Sequence, residues 1–199
     1  MIFLIEDFIS SEQCSDLIQA FRRASSNGDI PAGHLRLSPE RTELTAKALY
    51  KVSPLPVRQF LDEFHARLVN TVNSALGGEA EYFIEFSVIT EMRKGDRHVA
   101  HADNERLNPS GIWEPNHTPF RDYTTMLYLN STGADYSGGT LRFVALGQQI
   151  EPKAGLLVGF RCDHVHMHEA LPIEVGTRYA VSIWYTKDRE REQSLSGLI

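Results

Sequence analysis

The second half of the chain consists of short β-rich runs separated by turn residues. From residue 82 onward, runs rich in Val, Ile, Thr and aromatic residues alternate with Gly, Pro and Asn. These runs cover residues 82–91, 97–102, 122–130, 140–146, 155–160, 164–168 and 178–186. Many short strands at such spacing are typical of a double-sheet jelly roll, also called a double-stranded β-helix. We therefore predict a jelly-roll core over residues 81–188.

The first 80 residues show helical patterns instead. Ser10 and Gln13 form a capping-box pattern, which predicts a helix to about residue 26. Ser53-Pro54 predicts the start of a second helix, in which apolar residues keep helical spacing until Gly77-Gly78 ends it. We expect these helices to support the core by packing on one of its sheets.

Length and composition fit a single domain. A chain of 199 residues that is 42% hydrophobic can bury a sizeable core without disulfides, and its two cysteines are too few for a zinc cluster. The predicted fold class is α+β, mainly β with flanking helices, in one domain over residues 1–199 with a helical support region over 1–80. Residues 27–48 and 104–121 are predicted to be irregular and to act as lids at the mouth of the jelly roll.

The charge pattern argues against several classes of partner. A formal net charge of -6 does not favour general nucleic-acid binding or an anionic membrane surface. No apolar run is long enough to cross a bilayer. Acidic Glu6 and Asp7 stand where a signal peptide needs an apolar run, so we expect a cytoplasmic protein.

The tripeptide His101-Ala102-Asp103, together with a later histidine, points to a metal site. Two imidazoles and one carboxylate are the facial triad that holds non-haem Fe(II) while leaving coordination positions open. Residues two apart on an extended strand project to the same side, so one short segment supplies two adjacent ligands. A chain with eight histidines produces His-x-Asp by chance, so the tripeptide by itself is a weak signal.

Three histidines compete for the distal ligand position. His164, His166 and His168 alternate and would share one face of a strand. Spacing favours His168, which lies ten residues before Arg178 and directly precedes an x-x-x-Pro pattern. His166 remains the alternative. We expect the two histidines that do not bind metal to lie at the pocket rim or on the surface.

Two further histidines are expected to lie away from the metal. His98 falls on the opposite face of an extended strand from His101. His65 lies on the second predicted helix, where it is expected at the surface.

Arg178 opens an apolar β-rich run, where a guanidinium is tolerated only if an anion pairs with it. On the 122–130 run, alternation places Thr124, Met126 and Tyr128 on one face, and Tyr128 can offer its hydroxyl to the same anion. A metal triad, a buried arginine and a tyrosine donor together describe a site that chelates a 2-oxo acid and binds its far carboxylate.

The chain resembles the Fe(II)- and 2-oxoglutarate-dependent prolyl hydroxylases over roughly residues 89–186, about half of its length. It is most similar to the catalytic domain of the leprecan-type prolyl 3-hydroxylases. The stretch 168–192 also resembles the C-terminal part of the oxygen-sensing prolyl hydroxylases. The pieces that carry the leprecan resemblance are HADN at 101–104, WEP at 113–115, FRDYTTMLYLN at 120–130, the Gly138-Gly139 turn before TLRF, and the interval 160–168.

The resemblance implies a site and a reaction. Fe(II), 2-oxoglutarate and O2 would be the cofactor and cosubstrates, and the reaction would hydroxylate a prolyl residue, with peptidyl proline favoured, releasing succinate and CO2. The implied iron ligands and catalytic residues are His101, Asp103 and His168. The C5 carboxylate of 2-oxoglutarate would be held by Arg178 and Tyr128, while Thr124 and Trp184 match pocket-lining positions.

The resemblance leaves several points open. Related enzymes often carry a tyrosine about nine residues before the first iron ligand, and Met92 stands there in this chain, so that hydrogen bond is absent or supplied elsewhere. Trp113 would either stack on a substrate ring or hold its own loop. The alternative functions are hydroxylation of a free amino acid or a small natural-product intermediate, and a non-catalytic cupin-like metal-binding or sensor module. A zinc hydrolase is less favoured, because no general base is placed beside a metal-bound water.

Overall fold

The computed structural model describes residues 1–26, 30–77 and 80–197. Within these ranges, the first part of the chain contains all three α-helices and three strands, and the second part contains the other strands. In chain order they are β1 (Ile2–Ile5), α1 (Ser11–Ser25), β2 (Leu35–Leu37), β3 (Arg41–Thr45), α2 (Ala46–Val52), α3 (Leu55–Ala75), β4 (Phe83–Arg93), β5 (His98–His101), β6 (Glu105–Leu107), β7 (Trp113–Pro115), β8 (Tyr123–Tyr128), β9 (Tyr136–Gly138), β10 (Leu141–Phe143), β11 (Gln148–Ile150), β12 (Leu157–Arg161), β13 (His168–Ala170) and β14 (Ile173–Thr186). Short 3-10 turns lie at His164–His166 and Arg189–Arg191.

Two antiparallel sheets form the core. The large sheet has the order β1-β12-β8-β14-β4-β3-β2, with β9 pairing to β14, and the small sheet has the order β11-β10-β13-β5. Side chains from both sheets meet in one buried cluster, which includes Met126 and Tyr128 of β8, Phe143 of β10, Phe160 of β12 and Ala180 of β14. The predicted jelly roll is therefore confirmed.

The helices cover the other face of the large sheet. The main core joins Phe21 of α1, Leu49 of α2 and Leu68 of α3 to Leu127 of β8 and Ile183 of β14, all fully buried. No helix in the described ranges is long and apolar enough to span a membrane.

The predicted start of the first helix is confirmed in detail. The backbone N–H of Gln13 donates to the Ser10 hydroxyl at 3.1 Å, and the Ser10 backbone N–H donates to the Gln13 side chain at 2.9 Å. The second predicted helix begins at Leu55, with Pro54 as its N-cap, and Gly77 follows its end with a φ of +75°. Gly78 lies outside the described residues.

Both segments that were predicted to be irregular contain hairpins. In the first, β2 and β3 pair and extend the large sheet beyond β4, and α2 follows directly. In the second, β6 pairs with β7. These strands are three to five residues long, so their period-two signal is short. The β2–β3 hairpin is also held by the pairing of β3 with β4.

Two smaller expectations are wrong. The strand expected at 164–168 is a 3-10 turn, and β13 begins only at His168. His65 is not a plain surface residue, because its Nε2 is buried without a partner in the described part of the chain and burial lowers the pKa of His65 to about 4.

We predict that Gly138→Ala destabilises the protein more than Gly147→Ala. Gly138 has a φ of +79°, and an added Cβ would lie 2.1 Å from the Pro172 carbonyl oxygen, whereas Gly147 has a φ of +63° and open space around it. Backbone strain alone lowers the free energy of unfolding by about 1 kcal/mol, and the clash at Gly138 raises the loss to roughly 3 kcal/mol. Urea unfolding of both variants measures the difference, and equal losses would contradict the described approach of β9 to the Pro172 backbone.

Candidate active site

Strand pairing brings two of the predicted ligands face to face. β5 and β13 are antiparallel neighbours in which His101 stands opposite His168, and their rings lie 4.5 Å apart. The Nδ1 of His101 is 2.9 Å from the Val99 carbonyl oxygen, and the Nδ1 of His168 is 3.1 Å from that of His166. Since a carbonyl oxygen only accepts, each Nδ1 must carry the proton. Both Nε2 lone pairs are then available to a metal.

Asp103 is held in place by the backbone around it. Its N–H donates to the Cys162 carbonyl oxygen at 2.9 Å, and its own carbonyl oxygen accepts from the Thr118 hydroxyl at 2.8 Å and from the Asn116 side chain at 3.1 Å. The Thr124 hydroxyl donates to the carboxylate Oδ2 at 2.6 Å. These contacts leave the other carboxylate oxygen, Oδ1, directed at His101 Nε2 at 3.5 Å.

The three side chains form a compact donor set. One ligand atom from each of His101, Asp103 and His168 lies within 4.8 Å of the other two. Burial raises the pKa of Asp103, but the hydrogen bond with His101, the nearby imidazoles and the Thr124 hydroxyl outweigh it and hold that pKa well below its usual range. Burial lowers the pKa of His168 to about 4. An ionised carboxylate and a neutral imidazole are the states in which these groups bind metal.

A cavity of about 80 Å³ extends from this donor set along β14 and opens to solvent. Its walls include Arg178, Ser182 and Trp184 of β14, together with Thr124 and Met126 of β8. Arg178, Thr124 and Trp184, which the sequence analysis identified as site residues, therefore line one cavity.

Arg178 is a buried cation that lines this space and forms no ion pair with any described residue. The residue is only 3% exposed. Its Nη1 donates to the Gly139 carbonyl oxygen at 3.3 Å, and its Nε has no hydrogen-bond partner among the described residues. The guanidinium carbon lies 5.2 Å from the centre of the Tyr128 ring. The Tyr128 hydroxyl is also buried and unpaired in the part of the chain that the structure describes. The pair has the donors that a carboxylate would satisfy.

Thr124 and Trp184 lie where the sequence placed them, on the cavity wall. The Thr124 hydroxyl contacts both the Asp103 carboxylate and, at 3.2 Å, the Cys162 sulfur, so it orients the acidic ligand. The indole N–H of Trp184 is buried without a partner in the described ranges, and the Arg121 guanidinium lies 4.3 Å from the indole ring centre.

Two of the competing histidines are engaged elsewhere. His164 Nδ1 is 2.7 Å from the Glu105 carboxylate, and its ring stacks on Trp113 at 5.2 Å. Trp113 thus packs against the 3-10 turn at His164–His166. His166 is buried rather than at the rim or surface, with Nδ1 at 2.6 Å from the Asp163 carboxylate and Nε2 at 2.9 Å from the Met1 amino nitrogen.

The expectation for His98 is wrong. Its ring lies 4.2 Å from that of His101, and it lines the cavity. The cause is an irregularity in the β5–β13 register, where the pairing shifts between His168 and Ala170. Such a bulge changes the alternation, so residues three apart can share a face.

The sequence analysis also missed polar residues around the cavity. Arg41 and Glu43 alternate along β3 and line the cavity. Arg41 binds both carboxylate oxygens of Asp96, at 2.8 and 2.9 Å, and so ties β3 to the turn before β5. The polar alternation in RTELT was the available signal. The buried hydroxyl of Tyr136 has no partner among the described residues. The sequence around Tyr136 does not predict this position, because the residue lies just before the Gly138-Gly139 turn and not in an alternating run.

Comparison with known proteins agrees with the fold and the donor set. The family model of the 2OG-Fe(II) oxygenase superfamily matches residues 87–186, from β4 to the end of β14. The chain belongs to the 2OG-Fe(II) oxygenase superfamily. The predicted enzyme class, a 2-oxoglutarate-dependent dioxygenase, and the predicted use of Fe(II), 2-oxoglutarate and O2 are confirmed by this membership.

Relatives of this oxygenase include vertebrate proteins. It is 31% identical to prolyl 3-hydroxylase 2 of Gallus gallus over 93% of the chain and 30% of the relative. It is 26% identical to prolyl 3-hydroxylase 1 of Homo sapiens over 93% of the chain and 28% of the relative. The chain therefore spans less than a third of the length of these curated relatives.

Solved structures share the fold of this oxygenase. A viral collagen prolyl hydroxylase from Paramecium Bursaria Chlorella virus-1 matches with a TM-score of 0.65 and 18% identity, covering 94% of this chain and 96% of that one. A prolyl-4-hydroxylase from Pseudomonas putida matches with a TM-score of 0.62 and 19% identity, covering 94% and 92%. At these identities the comparison supports the architecture.

We predict that His101→Ala, Asp103→Ala and His168→Ala each weaken metal binding by at least roughly 100-fold, because a triad that lacks one ligand holds Fe(II) poorly. His164→Ala is the matched control, since His164 bonds to Glu105 and not to the donor set. Titration with Co(II), followed by its visible absorption, measures the affinity without turnover. Metal binding that survives in His168→Ala or is lost in His164→Ala would show that the distal ligand is assigned incorrectly.

Proposed function

We propose that this oxygenase hydroxylates a prolyl residue in a peptide or protein, with Fe(II) bound by His101, Asp103 and His168. Arg178 and Tyr128 bind the C5 carboxylate of 2-oxoglutarate, and the reaction releases succinate and CO2. The observation that carries the proposal is the unpaired, buried guanidinium of Arg178 on the wall of the metal cavity.

A buried cation without an anion is strongly destabilising, since charges are tolerated in an interior only when they are paired. A dicarboxylate that reaches from the metal to Arg178 supplies the missing partner. A cupin-like sensor that binds only metal has no need of this group. The arginine therefore favours the oxygenase over the metal-binding module.

The donor set fits iron and its cosubstrate. When bound, Fe(II) with 2-oxoglutarate and O2 supplies the oxidising chemistry that removes hydrogen from a C–H bond and adds a hydroxyl. The chain's own residues do the positioning. Thr124 holds one oxygen of Asp103 and leaves the other to the metal, while Arg178 and Tyr128 orient the cosubstrate. Buried Met126 and Ala180 keep this part of the cavity dry, which strengthens the attraction between guanidinium and carboxylate.

The prolyl substrate is supported by the relatives. The two prolyl 3-hydroxylases match over 93% of this chain, so the similarity extends beyond the stranded half that carries the triad. We place the protein in the cytoplasm, a proposal that its two buried free thiols, Cys14 and Cys162, support because unpaired cysteines are usual in a reducing compartment.

We predict that Arg178→Ala raises the apparent 2-oxoglutarate requirement roughly 100-fold, because a charge-assisted contact to a carboxylate is worth about 3 kcal/mol. Metal affinity should stay nearly unchanged, since Arg178 is not in the donor set. Succinate formation at varied 2-oxoglutarate measures the change. Arg106→Ala, which removes an exposed arginine paired with Glu114, is the control. An unchanged requirement in Arg178→Ala would favour the metal-binding module.

The substrate class is tested by mass spectrometry after incubation with Fe(II), 2-oxoglutarate and O2. We expect proline-containing peptides to gain one oxygen and the same peptides with alanine in place of proline to gain none. Free L-proline and other free amino acids are incubated and measured in the same way. If only free amino acids gained oxygen, the substrate would be a small molecule and not peptidyl proline.

A further inference from the structure

Three buried polar groups without partners in the described residues lie close to Gly139 and belong to Arg178, which lines the cavity, and to two tyrosines near it. They are the Nε of Arg178 and the hydroxyls of Tyr128 and Tyr136. Tyr136 begins β9, is 4% exposed, and stands opposite Gly176 of β14. Buried phenol hydroxyls normally find a hydrogen-bond partner, so two of them unpaired beside an unpaired guanidinium indicate a shared ligand.

Gly139 joins Tyr136 to Arg178. A Cβ added at Gly139 would lie 3.1 Å from Cε2 of Tyr136 and 3.3 Å from Cδ of Arg178. The tyrosine ring and the arginine side chain therefore both lie beside this glycine. The Arg178 Nη1 also donates to the carbonyl oxygen of this residue. Because Gly139 has no side chain, the Tyr136 ring and the aliphatic part of Arg178 can both lie against it.

The hydroxyl of Tyr136 has no hydrogen-bond partner among the described residues. The ring packs with Met92, Ala170 and Ile173, which are apolar. Met92 also lies opposite Arg178 in the β4–β14 register. Burial raises the pKa of Tyr136 and the charge of Arg178 opposes that rise, so the phenol stays protonated and able to donate near the guanidinium.

We propose that Tyr136 donates a third contact to the C5 carboxylate of 2-oxoglutarate, beside Arg178 and Tyr128; this role rests on the proposed function. A carboxylate offers about four acceptor positions on its two oxygens. The guanidinium fork and the two phenols supply a matching number of donors. Tyr136 is therefore a specificity-determining residue, which distinguishes a 2-oxo acid with a second carboxylate from one without it.

The test is calorimetric titration of 2-oxoglutarate into the Mn(II)-loaded protein under nitrogen, which measures binding without turnover. The second probe is 2-oxopentanoate, which has the same chain length and lacks the C5 carboxylate. Tyr136→Phe should weaken 2-oxoglutarate binding roughly tenfold or more, as expected for a hydrogen bond to a charged group. It should leave 2-oxopentanoate within about twofold of the wild type.

Tyr185→Phe is the matched control. Tyr185 is fully buried on the opposite face of the large sheet, where its hydroxyl is 3.0 Å from that of Thr125. The variant should bind both probes as the wild type does. If Tyr136→Phe binds 2-oxoglutarate as tightly as the wild type, the role of Tyr136 is overturned and the proposed function is not affected. Equal weakening of both probes also overturns it, because it shows a structural effect. A wild-type protein that does not bind 2-oxoglutarate overturns the proposed function as well.

Discussion

The period-two alternation of β14 organises both the core and the site. This strand lies between β8 and β4 in the large sheet, so each of its side chains must enter one of two layers. Val181 and Ile183 face the helices and contribute to the main core. Arg178, Ser182 and Trp184 face the cavity. A shift of one residue in register would place the arginine in the apolar core and remove the site.

The metal donors depend on different constraints. His101 and His168 belong to paired strands of the small sheet, and backbone carbonyls fix their ring orientation. Asp103 follows β5 and is held by Cys162, the residue after β12, and by Thr124 of β8. The triad therefore joins the two sheets at one edge of the jelly roll. A metal bound there would be a cross-link between them.

The cavity has two ends with different chemistry. At the metal end, a carboxylate and two imidazoles offer lone pairs to a cation. At the other end, the guanidinium of Arg178 lines the cavity, and two nearby phenols also have free O–H donors in the described part of the chain. A 2-oxo dicarboxylate matches both ends, because its keto acid group suits a metal and its far carboxylate suits the donors. The apolar wall between them excludes water and strengthens both attractions.

Local spacing in the sequence determined the capping box, the alternation along β8 and β14, and the His-x-Asp pair, because these features depend on residues a few positions apart. Tertiary structure alone decided the rest. The β2–β3 hairpin exists because β3 pairs with β4, and His98 joins the cavity because the β5–β13 pairing is bulged. Tyr136 and Arg178 are far apart in the chain, and the fold brings both beside Gly139. Strand partners and bulges are set by packing across the whole fold, which no short window of sequence contains.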